Sequence, residues 1–194
     1  DLQTSLDAQL HLPAGYSISY GGAYSEQQQS FRELMMILSL AVLLVFAVLM
    51  FLFREWRISL TVLFISVLGI CGCLLALWLT GVPLNVSSYT GIIMVVGIIA
   101  ENAIFTVWQY RMNRRTGGDV SEAVDYAIAL RIRPKLMTAI GAVLALMPLA
   151  LGIGLGAQMQ QPLAVAVIGG FIVGLPLLLL VLPSIMLLIY KKSK

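Results

Sequence analysis

The sequence has few charged residues, and this scarcity is its most informative property. Of its 194 residues only 11% are charged, one is histidine and two are cysteine. A soluble domain of this length carries roughly 25% charged residues, so the composition excludes that class of protein. In turn, 60% of the residues are hydrophobic and the mean hydropathy is +0.96, which is typical of a chain that crosses a membrane several times.

The familiar catalytic and nucleotide-binding motifs are also missing. The sequence contains no HExxH, GxSxG, P-loop or CxxC motif. Cys71 and Cys73 lie in an apolar run and are predicted to be small packing residues, with a metal or redox pair as the alternative. The net charge of +3 comes from basic residues beside apolar runs, which indicates membrane topology rather than nucleic-acid binding. We therefore expect no enzyme activity, no cofactor and no metal site.

Five apolar runs are long enough to cross a bilayer as helices. The short loops between them predict antiparallel neighbours, and hence an all-α polytopic bundle of five transmembrane helices occupying residues 31–194. Pro176 and Pro183 are expected to kink the last helix or weaken its hydrogen bonding, and Gly170 and Gly174 form a GxxxG face for close helix packing. The predicted spans are residues 34–53, 60–79, 89–110, 136–153 and 163–190.

The segment that precedes the first span is polar. Residues 1–30 contain an alternating, strand-like piece at 16–20, bounded by turn residues. The later part, SEQQQSFREL, favours a helix that leads into the membrane. We expect residues 1–30 to be the end of a soluble domain together with this lead-in helix.

A short amphipathic helix is predicted between the third and fourth spans. Its N-cap would be Asp119 or Ser121. We expect this helix to lie on the cytoplasmic membrane surface and Pro134 to fall in the first turn of the fourth span. The apolar face of the short helix would consist of Ala123, Ala127 and Leu130.

Basic residues occur in alternate loops. The loop containing Arg54 and Arg57, the stretch 111–135 and the final lysines are predicted to be cytoplasmic. The two uncharged loops, GVPLNVSS and GIGLGAQMQQP, are then outside. This alternation predicts an N-terminus outside and a C-terminus in the cytoplasm.

One acidic side chain, Glu101, lies near the middle of the third span. A carboxylate in hydrocarbon costs from about 2.5 to more than about 10 kcal/mol, so such a group usually faces a bundle interior, pairs with a cation, or carries protons or ions. Gly97 lies one turn earlier on the same side and is predicted to let a neighbouring helix approach closely. The opposite Ile and Val side is expected to face lipid.

Lys135 begins the fourth span, which should neighbour the third. Asn102 and Thr138 are the nearest polar residues, and Lys135 could contact Glu101 directly or through a water. A Glu–Lys pair that gains or loses a proton can bias helix packing between two arrangements, which is the physical basis of proton-coupled transport. The alternative is a static buried ion pair that only fixes the helix register.

Several segments together resemble the C-terminal membrane half of a resistance-nodulation-division (RND) efflux permease. They are GGAYSEQQQSF, LWLTGVPLNVSSYTG, GIIAENAIF, RIRPKLMT and QQPLAVAVIGG, in that order along nearly the whole chain. The resemblance implies that residues 1–30 end a periplasmic porter subdomain and that the five spans are the last of that family's membrane domain.

The resemblance also implies site residues. In this family the third span often carries a lysine where Glu101 stands. Glu101 with Lys135 is more similar to the heavy-metal branch, of copper/silver or cobalt-zinc-cadmium type, where a glutamate and a lysine at these positions join a proton relay. Thr138 matches a position at which a hydroxyl supports the relay. Asn102, within ENAIF, is similar to drug pumps, so metal and drug substrates both stay open.

The function implied is proton/substrate antiport across the bacterial inner membrane. The resemblance further implies a homotrimer, a periplasmic adaptor, an outer-membrane channel, and another half of the permease that supplies essential aspartates. The 194 residues alone are then expected neither to pump nor to conduct. The rival hypotheses are a lipid or sterol transporter, a protein-export factor of similar bundle, or a structural module whose buried charges only hold register.

Overall fold

A computed structural model describes residues 23–115, 117 and 119–191. Within these residues the chain forms α-helices and no strand. All five helices are long and apolar enough to cross a membrane, which confirms the predicted all-α bundle. The strand-like piece at 16–20 lies outside the described residues. The helices are α1 (Ala23–Phe53), α2 (Trp56–Thr80), α3 (Val86–Arg115), α4 (Val120–Ala150) and α5 (Ala157–Lys191).

The short amphipathic helix predicted before the fourth span is not a separate element. Helix α4 runs without interruption from residue 120 to 150, so Pro134 lies in its interior rather than in a first turn. A proline removes one backbone donor, but neighbouring helices and hydroxyl side chains make this tolerable in membrane helices. The helix continues because residues on both sides of the proline are packed: Ala123 and Ala127 before it and Ala139 after it are buried, whereas Leu130, expected on the apolar face, is exposed.

Helix α5 packs most extensively among the described helices. It packs against α2, α3 and α4; within the described residues α3 contacts all four other helices, and α1 packs against α2 and α3 alone. The backbones of α5 and α2 approach closely where Gly169 and Gly72 face each other. A Cβ atom on Gly169 would lie 2.7 Å from the Gly72 carbonyl oxygen, and one on Gly72 would lie 2.9 Å from the Gly169 carbonyl oxygen. Only glycine lets these two backbones meet so closely.

The predicted glycine face of α5 is directed at α3. A Cβ atom on Gly170 would lie 2.6 Å from the Val95 side chain, and one on Gly174 would lie 2.9 Å from the Ile99 side chain. These branched side chains of α3 therefore fill the space that the two glycines leave. Helix α5 is continuous through Pro176 and the other prolines within it.

Charged and aromatic side chains join four segments at one end of the bundle. Arg111, near the end of α3, donates to the carbonyl oxygens of Leu52 (3.2 Å) and Phe53 in the last turn of α1. Its guanidinium lies 3.7 Å from the Glu55 carboxylate, and the Tyr190 hydroxyl donates to the same carboxylate at 2.7 Å. Arg111, one of the basic residues predicted to be cytoplasmic, therefore ties the ends of α1, α3 and α5 together.

The Tyr190 hydroxyl is expected to hold the end of α5 in place. In Tyr190→Phe the hydrogen bond to Glu55 is lost, while the ring can keep its stacking on Tyr110, 4.7 Å away. A loss of about 1 kcal/mol of local stability raises amide exchange in the last turns of α5 by roughly 5-fold. Hydrogen–deuterium exchange of the full-length protein measures this, with Tyr126→Phe, an exposed tyrosine of α4, as the control. Equal exchange in both variants would contradict the expectation.

Candidate functional site

The orientation of α3 differs from the prediction. Its Ile and Val side, expected to face lipid, is buried against the other helices; Val95, Ile99 and Val107 are examples. The opposite side, which carries Glu101, is exposed. The prediction was wrong because the branched side chains of α3 fit the glycine-lined surface of α5, and this packing fixes the rotation of the helix.

The prediction for Gly97, which lies on the same side of α3 as Glu101, was also wrong. No atom of the described residues lies within 4 Å of a Cβ atom built on Gly97, so the close helix approach predicted there is absent from this part of the protein. Instead, Gly97 lines an apolar cavity of about 250 Å³ between α1 and α3. Glu101 lines the same cavity, together with apolar side chains such as Leu44 and Val48 of α1. Glu101 thus borders this apolar cavity on one side.

On its other side Glu101 borders a more polar cavity of about 360 Å³ between α3, α4 and α5. All four residues predicted to handle protons line it, although they come from two helices. Within this lining Glu101 is the only acidic side chain. The polar lining consists of Glu101, Asn102, Arg131, Lys135 and Thr138, and apolar side chains such as Phe171 and Leu175 of α5 close the cavity.

Lys135 does not contact Glu101. Its side chain is buried, with 5% exposed, and its Nζ donates to the Thr106 Oγ1 at 2.6 Å. No ion pair joins Lys135 to an acid in the described ranges. The direct Glu101–Lys135 bond considered above is therefore not formed here, although both side chains line one cavity.

The two remaining predicted residues bond to their own helices. The Thr138 hydroxyl donates to the carbonyl oxygens of Pro134 and Lys135, each at 3.0 Å. The Asn102 amide donates to the Ile98 carbonyl oxygen at 2.9 Å. Because these donors are engaged, Asn102 and Thr138 offer acceptor oxygens to a proton donor in the cavity.

Sequence reasoning missed Thr106 and Arg131. Thr106 is buried four residues after Asn102, and Arg131 lies one turn before Lys135 with its guanidinium 4.8 Å from the centre of the Phe105 ring. The Nε atom of Arg131 is buried without a hydrogen-bond partner. The spacing of four residues between Arg131 and Lys135 could have identified the arginine, which was predicted only as one of the cytoplasmic basic residues of the stretch 111–135.

A protein-family comparison matches residues 1–190 to the AcrB/AcrD/AcrF family. The chain is 33% identical over 194 residues to the cobalt-zinc-cadmium resistance protein CzcA of Cupriavidus metallidurans, covering 100% of the chain and 18% of that relative. It is 36% identical over 181 residues to the multidrug resistance protein MdtC of Erwinia tasmaniensis, covering 92% and 18%.

A solved structure agrees with these relatives. The crystal structure of a heavy metal efflux pump (crystal form II) matches with a TM-score of 0.76 and 35% identity, over 97% of this chain and 19% of that chain. The chain thus spans about a fifth of the length of the proteins it matches. By this family match and its five membrane-capable helices, the chain belongs to the AcrB/AcrD/AcrF family and is a multi-pass inner-membrane segment of an RND permease.

Proposed function

We propose that this chain forms one side of the proton-coupled interface of an efflux permease that exchanges protons for an exported substrate. One observation carries the proposal: Glu101, Asn102, Lys135 and Thr138 line one cavity within an otherwise apolar bundle. Glu101 also lies on a face of α3 that no described helix covers, which leaves it accessible to protons and to the other half of the permease. These residues suit transport rather than catalysis.

In this proposal the change in the net charge of the cavity on protonation supplies the free energy that couples protonation to helix movement. With Lys135 and Arg131 protonated, the lining carries one net positive charge when Glu101 is ionised and two when it is protonated. Two unit charges about 8 Å apart interact by about 2 kcal/mol at an effective dielectric constant of about 20. Such an energy shifts an equilibrium between two helix arrangements roughly 30-fold, which is enough to couple protonation to movement of α4 against α3.

The remaining parts of the pump are proposed by analogy with the family. The other half of the permease would supply the acidic partners, and the complete protein would be a homotrimer with a periplasmic adaptor and an outer-membrane channel. The N-terminus would lie outside and the C-terminus in the cytoplasm. Because the relatives include resistance proteins named for cobalt, zinc, cadmium and nickel, we propose divalent cations as the first substrates to test, ahead of drugs.

The test is proton coupling in the full-length permease. Reconstituted in vesicles with an imposed pH gradient, it should move Zn²⁺, Co²⁺ or Cd²⁺ only while the gradient lasts, and a protonophore should stop transport. Transport that continues after the gradient collapses would contradict the proposal. Resistance profiling of a host carrying the complete gene, against metals and drugs in parallel, then identifies the substrate class.

One observation favours a rival function, in which the buried charge only holds the helix register. Lys135 is hydrogen-bonded to the uncharged Thr106 rather than to Glu101. A hydrogen bond that only holds α3 and α4 in fixed register would have the same geometry. In that case removing the acid would change stability and leave coupling intact. The names of the relatives favour export of small solutes over movement of lipids, sterols or proteins.

A further inference from the structure

A buried hydrogen bond joins α3 to α4 beside the proposed relay. Lys135 Nζ lies 2.6 Å from Thr106 Oγ1, and the two residues are 5% and 4% exposed. Burying an ammonium group is costly unless acceptors replace its water. Thr106 supplies such an acceptor at a depth where α5 contributes only apolar side chains to the cavity, such as Phe171 and Leu175.

The direction of this bond is determined by the hydroxyl. Thr106 has one hydroxyl proton, and it donates this proton to the Asn102 carbonyl oxygen at 2.9 Å. Its oxygen can therefore only accept from Lys135. The resulting chain of two hydrogen bonds leads from the ammonium group to the carbonyl oxygen of Asn102, the residue after Glu101, and each bond strengthens the other.

A hydroxyl group solvates the ammonium but does not neutralise its charge. The titratable groups that line the cavity with Lys135 are Glu101 from α3 and Arg131 from its own helix, and α5 contributes none to that lining. The ionised carboxylate attracts the ammonium, whereas the guanidinium repels it. Among the acceptors available to Lys135, the neutral oxygen of Thr106 therefore competes with the ionisable carboxyl group of Glu101.

We propose that Thr106 is a positioning residue that holds Lys135 away from Glu101 while the carboxyl is protonated. When Glu101 ionises, its charge draws the ammonium across the cavity, and Thr106 is released. The hydroxyl thus sets the balance between the two positions of Lys135. This inference rests on the proposed proton-coupled function.

The test measures the protonation of Glu101 itself in the full-length permease. Infrared difference spectra recorded against pH should contain a carboxyl band that disappears in Glu101→Gln. Thr106→Val removes the acceptor and nearly keeps the shape of the side chain. In this variant the Lys135 ammonium pairs more often with the Glu101 carboxylate and stabilises the ionised form of that group. We expect the midpoint of the band to move to lower pH by about 0.5 to 1 unit. Thr106→Ser keeps the acceptor and should keep the wild-type midpoint.

A double-mutant comparison separates this role from simple packing. In a Lys135→Met background, Thr106→Val should give no further shift, because the group that Thr106 positions is absent. Thr106→Ala is a second variant without the acceptor and should reproduce the shift if the valine variant fails to fold. A shift that persists without Lys135, or midpoints equal to wild type in the acceptor-free variants, would overturn the inference. A carboxyl band of Glu101 that never titrates would instead overturn the proposed function.

Discussion

Glu101→Gln in the full-length permease is expected to abolish export while the protein still folds and assembles. Glutamine has nearly the same shape as glutamate but cannot take up or release a proton. Removing a group that transfers protons typically lowers a rate by about 100-fold or more. The structure also indicates that folding is unaffected, because Glu101 is exposed and forms no ion pair within the described part of the chain.

Resistance of the host and proton-driven uptake into vesicles both measure this loss. Glu122→Gln is the matched control: it is the same chemical change on an exposed glutamate, and Glu122 lines neither of the cavities described above. The control should export at the wild-type rate. If Glu101→Gln were instead lost from the membrane, while each surviving molecule transported normally, the register-holding function would be favoured over the relay.

Gly169→Ala is expected to disrupt the contact between α2 and α5 on which the bundle is built. A Cβ atom at this position would lie 2.3 Å from the Ala76 Cβ and 2.7 Å from the Gly72 carbonyl oxygen. A backbone atom cannot rotate away as a flexible side chain can, so the two helices must separate. Overpacking costs about 1 to 3 kcal/mol and occasionally more. We expect a cost at the upper end of this range, because α5 packs most extensively among the described helices.

The yield of folded permease and its thermal denaturation in detergent measure this effect. Gly141→Ala is the control, because nothing in the described residues lies within 4 Å of a Cβ atom built there. Alanine is also the better helix former by about 1 kcal/mol, so the control should be neutral or slightly stabilising. Equal losses in the two variants would show that the α2–α5 approach is not as close as the structure has it.

The five spans could be predicted because apolar length alone identifies a transmembrane helix. The ends of the helices and the extent of the fourth span were harder to predict. Near Pro134 the sequence has a proline and several charges, both of which locally favour a break. Packing of Ala123 and Ala127 before the proline and of Ala139 after it outweighs that local signal, so one helix continues where two elements were expected.

The proposed relay residues were found because polar side chains are rare in an apolar helix and therefore conspicuous. Glu101, Asn102, Lys135 and Thr138 could be selected this way, and the structure brings them to one cavity. Thr106 could not, since a threonine in a membrane helix usually bonds to its own backbone and gives no separate signal. Only the position of α4 beside α3 turns it into the acceptor for Lys135.

The sequence by itself determined the class of protein, the number of spans, the order of the helices and the polar residues worth testing. The tertiary structure alone decided which face of each helix is buried. In a water-soluble protein the pattern of polar and apolar residues along a helix indicates which face is buried. Lipid is as apolar as a protein core, so the sequence of a membrane helix lacks this pattern. In α3 the choice is made by the fit of Val95 and Ile99 against Gly170 and Gly174, and this fit leaves Glu101 uncovered.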